Sequence, residues 1–189
     1  MLKSLEICAG AGGQALGIER AGFAHQALVE IDKHCCQTLR DNRPDWNVIE
    51  GDLCDFSANE YQDIDLLAGG VPCPPFSKAG KQLGADDERN LFPEAIRLVK
   101  EARPKAVMLE NVRGILDSVF SDYRQFIAAQ IGKLGYVTDW KLLNASDFGV
   151  PQLRPRVVFV AIRKEFASEI SWQPPNNKSP KQSVNRFLI

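Results

Sequence analysis

Residues 5–17, LEICAGAGGQALG, place a glycine-rich turn directly between an apolar run and a helical pattern. Gly10 and Gly12 permit a tight turn and let a ligand come close to the backbone. The helix that follows has free N–H groups at its start, and these suit an anionic group such as a carboxylate or a phosphate. A strand, a glycine turn and a helix in this order predict the first unit of an α/β fold with a ligand at the turn.

Short apolar runs alternate with longer amphipathic runs in the rest of the sequence, which predicts an α/β domain with a mostly parallel sheet. The predicted strands cover residues 4–8, 26–30, 47–50, 64–68, 106–110, 137–143 and 157–162. The predicted helices cover residues 14–21, 33–42, 91–102 and 122–134. Gly135 stands where a glycine commonly ends a helix.

Two segments fit neither pattern. Residues 69–90 form a long loop, and a loop of this length inside a compact domain is usually functional or disordered. From residue 171 the sequence becomes rich in proline, asparagine and lysine. We therefore expect one domain at 1–170, followed by a linker or tail at 171–189.

The composition narrows the class of protein. The 189 residues are 44% hydrophobic, which is enough for one well-buried domain. With 23 basic and 24 acidic residues the formal net charge is −1, so a nucleic acid would be bound through local patches rather than a generally basic surface. The five cysteines form no CxxC pair, which favours reduced thiols in a cytoplasmic protein over a disulfide framework or a zinc site. No apolar run in the sequence is long enough to span a bilayer.

Acidic residues follow the next two predicted strands. Glu30 could accept hydrogen bonds from both hydroxyls of a ribose, and Asp52 could accept one from an adenine amino group. A glycine turn followed by two such strand ends favours a nucleoside cofactor over a purely structural turn. NAD is an alternative, because Gly10, Gly12 and Ala15 also satisfy the dinucleotide fingerprint, but no later motif suggests hydride transfer.

The segment GGVPCPPFS, residues 69–77, follows the fourth predicted strand and holds Cys73 between prolines. Prolines restrict the backbone, and open α/β sheets bind ligands at the carboxyl ends of their strands. A free cysteine is more often packed in a core than reactive. At this position, however, a thiolate could attack an electron-poor carbon of a ligand, so Cys73 is the candidate nucleophile.

Two further motifs supply candidate partners for Cys73. Glu110 and Asn111 end the fifth predicted strand, where a carboxyl beside an apolar pocket can stay protonated and donate to a ring nitrogen. The alternative for Glu110 is a helix-capping or ion-paired residue. Arg154 and Arg156 share one face at spacing two and suit a phosphate or a base carbonyl, and the alternative is a solvated basic edge strand.

Together these motifs resemble those of the DNA (cytosine-5)-methyltransferases, over residues 4–189. The segments GGVPCPPFS, ENV and QLRPR follow the cofactor motifs in the order of that family. The resemblance implies a Rossmann-like fold, with a mixed seven-stranded sheet flanked by helices, that binds S-adenosylmethionine and no metal. It implies that the cofactor is contacted by Ala9, Gly10, Gly12, Gly13, Glu30, Ile31, Asp52, Leu53, Pro72 and Leu91.

The resemblance also implies the chemistry. Cytosine is flipped out of the DNA duplex, Cys73 adds to ring carbon 6, and carbon 5 takes the methyl group, which leaves S-adenosylhomocysteine as product. Glu110 would hydrogen-bond or protonate ring nitrogen 3, and Arg156 would hold the oxygen at carbon 2. Arg154 belongs to the same catalytic set. The loop at 77–90 resembles the mobile lid of the family.

The sequence departs from the family pattern at three points. Pro74 replaces a glutamine, Cys8 replaces an aromatic residue, and the target-recognition domain and C-terminal motifs do not follow. We therefore expect a second polypeptide or a C-terminal segment to supply DNA recognition and to cover an apolar face of the catalytic domain. By itself the chain offers double-stranded DNA only a short set of basic residues, namely Lys78, Lys81, Arg89, Arg154 and Arg156.

Two other functions fit the same motifs. One is a non-catalytic relative that binds the cofactor and regulates a partner. The other is a transfer-RNA cytosine methyltransferase of the same fold, although the residues PFS at 75–77 favour DNA. The leading expectation is a bacterial-type, cytoplasmic, DNA-associated enzyme of restriction–modification, in split or truncated form.

Overall fold

The structure is a computed structural model, and it describes residues 1–72 and 90–169. Strands and helices alternate along this part of the chain. In order they are β1 (Leu2–Ile7), α1 (Gly13–Arg20), β2 (Phe23–Glu30), α2 (Lys33–Asn42), β3 (Val48–Glu50), β4 (Leu66–Gly69), α3 (Phe92–Ala102), β5 (Ala106–Val112), α4 (Ser121–Lys133), β6 (Tyr136–Asn144) and β7 (Pro155–Arg163). None of the described helices has the length and apolar character needed to cross a membrane.

Each strand and helix that the sequence predicted is present, within a few residues of the predicted bounds. The main difference is in β5, which continues to Val112, so Glu110 and Asn111 lie inside the strand rather than at its end. The start of helix α2 is explained by local hydrogen bonds. Asp32 caps α2 because its Oδ1 accepts from the backbone N–H groups of His34 and Cys35, at 2.8 and 2.9 Å.

The seven strands form one mixed sheet in the order β3-β2-β1-β4-β5-β7-β6, which confirms the predicted fold class. Strands β1 to β5 run parallel, and β7 is antiparallel to both of its neighbours. From β1 the chain moves to one side through β2 and β3, and it then returns to form β4 on the other side of β1. This reversal leaves a crevice at the carboxyl ends of β1 and β4, where open α/β sheets bind ligands.

The helices pack on both faces of the sheet. On one face, Ala15 of α1 and Leu39 of α2 pack against Leu28 of β2. On the opposite face, α3 and α4 cover a larger core that reaches from Ile7 of β1 to Phe159 of β7. Residues 4–7 of β1 and all of β4 are buried, as expected for parallel strands that are covered on both faces.

Strands β5 and β7 are covered well on one face only, because burial alternates along both of them. Apolar and charged side chains share the less covered face: Met108 lies opposite Val160 and Val137 lies opposite Ile162, whereas Val158 lies between Glu110 and Lys141. We call the apolar set the open face; it consists of Met108, Val158, Val160 and Ile162, which are half-buried, and Val137, which is 51% exposed. An apolar sheet face with partial cover agrees with the expected uncovered surface of the catalytic domain.

Candidate active site

Two cavities open at the carboxyl ends of the central strands and meet between β1 and β4. The first has a volume of about 300 Å³ and lies over β1, β2 and β3; we call it the β2–β3 cavity. The second has a volume of about 540 Å³ and extends towards β5 and β7; we call it the β5–β7 cavity. Cys8, Gly10 and Gly70 line both cavities and therefore form the junction between them.

Most of the predicted cofactor residues line these two cavities. Those in the β2–β3 cavity are Gly10, Glu30, Ile31, Asp52, Leu53, Pro72 and Leu91. Ala9 and Gly13 line the β5–β7 cavity, together with Glu110 and Arg154 of the predicted catalytic set. The topology thus brings residues from five separate strand ends to one place.

Gly12 differs from the other predicted residues because it lines neither of these cavities. Its φ of +90° is a backbone conformation that glycine adopts easily. A Cβ atom added at Gly12 would lie 2.6 Å from Cδ2 of Leu39, so the missing side chain lets α2 pack closely. The position of Gly12 indicates a role in the turn and in packing, and its contact with a cofactor stays a prediction.

Backbone N–H groups hold the Glu30 carboxylate in place. Its Oε2 accepts from Gly10 at 2.7 Å, and its Oε1 accepts from Ile31 at 3.0 Å and from Asp32 at 2.9 Å. The residue is only 9% exposed. Because a carboxylate can accept about four hydrogen bonds, it can still accept one from a ligand hydroxyl. These bonds join the end of β2 to the glycine turn after β1, so the acceptor is oriented before a ligand arrives.

Asp52 provides a second acceptor at the rim of the β2–β3 cavity. Its Oδ1 accepts from the backbone N–H of Cys54 at 2.8 Å. Hydrogen bonds from the backbone and the thiol of Cys54 lower the pKa of Asp52. The Asp52 side chain is therefore a charged acceptor near neutral pH, which suits an amino group of a ligand.

Gly70 keeps the junction between the cavities open. A Cβ atom added there would lie 3.6 Å from the carbonyl oxygen of Cys8, 3.7 Å from Glu110 Oε2 and 4.0 Å from Gln14 Oε1. Three oxygen atoms from three different elements therefore surround the space above Gly70. Gln14 had no predicted role, because nothing in the local pattern shows that the chain brings it beside Gly70.

None of the described cysteines lies in an environment that favours a thiolate. Burial is the largest cause that raises the pKa of Cys8, to about 12, and the nearby carboxylates of Glu30 and Asp52 add to it. The pKa values of Cys35, Cys36 and Cys54 are raised as well. These thiols are poor nucleophiles, since the thiolate is the reactive form.

Glu110 and Arg156 form an ion pair beside the β5–β7 cavity, with 2.5 Å between Glu110 Oε1 and Arg156 Nε. Glu110 lies opposite Val158, and Arg156 lies two residues before Val158 in β7. The two side chains are therefore diagonal neighbours on one face of the sheet. The ion pair is the alternative that the sequence analysis gave for Glu110, and its partner is another predicted site residue, while the role of Glu110 as a donor to a ring nitrogen stays a prediction.

Several predicted features lie outside the described residues. They include Cys73, Pro74, most of the loop at 77–90 with Lys78, Lys81 and Arg89, and the tail at 171–189. Pro72, which precedes Cys73 in the sequence, is described and lines the β2–β3 cavity. Within residues 1–72 and 90–169, no group of three or more His, Cys, Asp and Glu side chains is placed to hold a metal ion.

Residues 2–188 match the profile of a family described as C-5 cytosine-specific DNA methylase. The Type II methyltransferase M.NgoMIV of Neisseria gonorrhoeae is 68% identical, over 98% of this chain and 59% of that protein. The Type II methyltransferase M.NaeI of Lentzea aerocolonigenes is 53% identical, over 95% of this chain and 44% of that protein. The chain thus spans about half the length of these two relatives. The Type II methyltransferase M.AquIA of Picosynechococcus is 38% identical, over 94% of this chain and 79% of its own length.

Solved structures show the same fold. A crystal structure assigned as a DNA modification methyltransferase encoded within an Escherichia coli prophage superposes with a TM-score of 0.81 at 30% identity. The alignment covers 95% of this chain and 52% of that one. A variant of Spodoptera frugiperda DNMT2 gives a TM-score of 0.72 over 94% of this chain and 54% of its own, and at 23% identity it supports the fold alone.

Proposed function

The chain belongs to the family of C-5 cytosine-specific DNA methylases, and from that premise we propose that it transfers a methyl group from S-adenosylmethionine to carbon 5 of cytosine in DNA. One observation carries the proposal. A cavity with two oriented carboxylates, Glu30 and Asp52, is joined at Gly70 to a second cavity that holds Glu110. Such a pair of cavities suits a nucleoside cofactor on one side and a base on the other.

The residues of the β2–β3 cavity fit the adenosine part of the cofactor. Glu30 has an oriented carboxylate with acceptor capacity left for a ribose hydroxyl. Asp52 can accept from the adenine amino group, while Leu53 and Leu91 supply apolar walls. When bound, S-adenosylmethionine supplies the methyl group. The side chains of this cavity bind and orient it, and we assign no bond-making role to them.

In the β5–β7 cavity, Glu110 and Arg156 would hold a cytosine that has been turned out of the duplex, since its ring carbons are unreachable while it is stacked. The Arg156 guanidinium can donate to the oxygen at carbon 2, and the Glu110 carboxyl, when it carries a proton, can donate to ring nitrogen 3, which is an acceptor. Both contacts stabilise charge that develops on the ring during nucleophilic attack. The ion pair keeps both side chains beside the cavity before a base arrives.

We propose Cys73 as the nucleophile that adds to carbon 6 of the ring. Two observations on other residues support this assignment. The preceding residue, Pro72, lines the cavity system. The four described cysteines all have raised pKa values, which makes them unsuitable.

We further propose that DNA recognition comes from a segment beyond this chain, either on the same polypeptide or on a partner. The chain spans about half the length of its first two relatives, and its formal net charge of −1 gives no general attraction to DNA. The open face supports the same proposal, because five apolar side chains with partial cover form a surface that another segment would bury. The free thiols and the bacterial relatives fit a DNA-associated enzyme of the bacterial cytoplasm.

Covalent trapping tests the catalytic proposal. Duplex DNA that contains 5-fluorocytosine should form a complex with the protein that survives denaturing electrophoresis, and only when S-adenosylmethionine is present. Cys73→Ser should abolish the complex while the affinity for S-adenosylhomocysteine stays nearly unchanged. A stable complex with Cys73→Ser would refute the nucleophile assignment. A wild-type protein that binds cofactor but never forms the complex, even when the C-terminal part of M.NgoMIV is added, would identify a non-catalytic relative.

Methyl incorporation into plasmid DNA tests the proposed recognition segment. We expect the 189-residue chain alone to give weak, salt-sensitive and unspecific incorporation, because specificity requires base contacts that it does not supply. Adding the separately expressed C-terminal part of M.NgoMIV should restore incorporation at defined sites. Strong site-specific incorporation by the chain alone would show that no further segment is needed.

A further inference from the structure

The loop between β6 and β7 exposes several apolar side chains. It covers residues 145–154, and we call it the β6–β7 loop. In this loop Phe148 is 47% exposed, Val150 is 45% exposed and Leu153 is 68% exposed. Single exposed apolar side chains are common on protein surfaces. Three of them in one short loop indicate a surface that contacts another molecule.

The register of the sheet places this loop at the edge where the β5–β7 cavity opens. Strand β7 runs antiparallel to β5, and its residue Arg156 lies opposite Val112, the last residue of β5. The residues that precede β7 therefore extend beyond the carboxyl end of β5. Arg154, at the end of the loop, lines the cavity. Leu153 is the neighbour of Arg154 in the chain, so it lies at the rim of the cavity that we propose for the base.

Hydrogen bonds hold the two ends of the β6–β7 loop together. Asn144 Oδ1 accepts from the backbone N–H of Arg154 at 3.0 Å, and the N–H of Ala145 donates to the carbonyl of Arg154 at 3.2 Å. Within the loop, the N–H of Val150 donates to the carbonyl of Ala145 at 3.2 Å. Because these bonds fix the backbone on both sides of Leu153, the protein presents this side chain with little further ordering on binding.

An exposed leucine beside an exposed arginine suits the DNA from which a base is turned out. Turning a base out of the duplex costs a few kcal/mol of stacking and pairing energy. Proteins that open a base step often insert an apolar side chain such as leucine between the bases. The guanidinium of Arg154, which is exposed, can meanwhile bind a phosphate of the same step. Continuity with the proposed base cavity favours DNA over a polypeptide as the occupant of this loop.

We propose that Leu153 is a wedge that enters the base stack of DNA as the target cytosine turns into the β5–β7 cavity. The inference rests on the proposed function and extends it, since it names a side chain that opens the duplex. Leu153 forms no bond in the reaction. Its contribution is to offset the lost stacking of the target base, so its effect depends on how firmly that base is held in the duplex.

Covalent trapping on two duplexes tests the proposal. In one duplex the target 5-fluorocytosine is paired with guanine, and in the other it stands opposite adenine as a mismatch. The protein is the chain together with the C-terminal part of M.NgoMIV, and each variant is compared with the wild type on the same duplex. Leu153→Ala should slow trapping about tenfold on the paired duplex and less than about twofold on the mismatched one, because a mismatched base leaves the stack more easily.

Two further variants control for general effects of substitution. Leu153→Met keeps an apolar side chain of similar length and should restore the wild-type rate on both duplexes. Leu2→Ala makes the same change as Leu153→Ala at the start of β1, at the opposite edge of the sheet, where Leu2 is 47% exposed. It should leave both rates unchanged. The melting temperature of Leu153→Ala should stay within about 2 °C of the wild type, because the side chain is exposed.

The outcomes separate this inference from the proposed function. Equal slowing on both duplexes, or no slowing on either, would overturn the role of Leu153 as a wedge and leave the proposed function standing. Weaker association of Leu153→Ala with the C-terminal part of M.NgoMIV in the absence of DNA would show that the loop binds a polypeptide instead. If the wild-type chain with that part traps neither duplex, the proposed function fails and the inference fails with it.

Discussion

The two halves of the sheet are built differently around the same crevice. In the half formed by β1 to β4, the strands are buried on both faces, and the Glu30 carboxylate is held by three backbone N–H groups. In the half formed by β5 to β7, burial alternates along the strands, and within the described residues Glu110 is paired with the Arg156 side chain. The first half therefore orients its carboxylate through the backbone, and the second half orients its carboxyl through a side chain.

The largest effect that we expect concerns the two faces of β7. Phe159 is fully buried against Trp140, whereas its neighbour Val160 is half-buried on the open face. Phe159→Ala should lower the free energy of unfolding by about 3–5 kcal/mol, and Val160→Ala should lower it by only about 1 kcal/mol or less. Urea denaturation of the two variants measures this. Equal losses would show that the open face is as well packed as the core.

The second prediction concerns the catalytic side of the crevice. Glu110→Gln should slow methyl transfer by about 100-fold to 1,000-fold, because the carboxyl group donates a hydrogen bond or a proton to ring nitrogen 3, where negative charge appears mainly in the transition state. Its effect on S-adenosylhomocysteine affinity should stay below about threefold, since the contacts of the nucleoside are made in the other half of the sheet. Single-turnover kinetics of the chain together with the C-terminal part of M.NgoMIV give the rate of methyl transfer. A large change in S-adenosylhomocysteine affinity with an unchanged rate would contradict the assigned role.

The third prediction concerns Glu30 in the first half. Glu30→Ala leaves the N–H groups of Gly10, Ile31 and Asp32 without their acceptor, so the glycine turn loses its link to the end of β2. The affinity for S-adenosylhomocysteine should fall about 100-fold, and covalent trapping at saturating cofactor should persist. Calorimetry measures the first quantity. Tight binding that survives the substitution would remove Glu30 from the cofactor site.

The smallest effect is a pH dependence of stability from the buried pair beneath α1. Burial raises the pKa of Glu6 to about 8 and lowers the pKa of His25 below its usual 6.5. The distance between His25 Nδ1 and Glu6 Oε2 is 4.0 Å, and Ser4 Oγ lies 3.0 Å from His25 Nδ1. The unfolded chain ionises Glu6 near its usual value of 4.5, while the folded protein keeps the proton until about pH 8. The unfolded state therefore binds fewer protons, and stability falls as pH rises through this window.

His25 has the opposite effect on stability, because below about pH 6.5 the unfolded chain takes up a proton that the folded protein does not. In that range the contribution of His25 makes the protein more stable as the pH rises. Between pH 6.5 and 8, Glu6 alone of this pair should contribute, with a slope of at most about 1.4 kcal/mol per pH unit. Glu6→Gln should remove that contribution while it keeps the size of the side chain. Urea denaturation of both proteins at several pH values measures the difference, and parallel slopes would show that Glu6 is ionised in the folded state.

Much of this architecture could be predicted from local sequence. The strands and helices lie within a few residues of their predicted bounds, because apolar runs, caps such as Asp32 and the glycine turn act over short distances along the chain. The residues at strand ends were predicted to share a site, because the carboxyl ends of parallel strands meet at one edge. The assignment of Glu30 and Asp52 to one cavity required no more than that rule, whereas Leu91, which precedes α3, was assigned through the family resemblance.

The sequence could not predict how these residues are used. Gly12 matches the glycine motif, yet its lack of a side chain serves the packing of Leu39, which lies 27 positions further along the chain. Strands β5 and β7 are rich in apolar residues, but which of their faces is only partly covered is not visible in the sequence. Packing between distant segments decides both features, and single-sequence patterns do not record it.

By itself, the sequence determined the class of fold, the order of its elements and the family, because periodicity, capping and short motifs are properties of neighbouring residues. Only the tertiary structure decided that Glu110 pairs with Arg156, that two cavities join at Gly70, and that Cys8, Gln14 and Glu110 lie around that junction. The physical reason is that these contacts join four strand ends from across the chain, and their distances depend on sheet order and register rather than on any local preference.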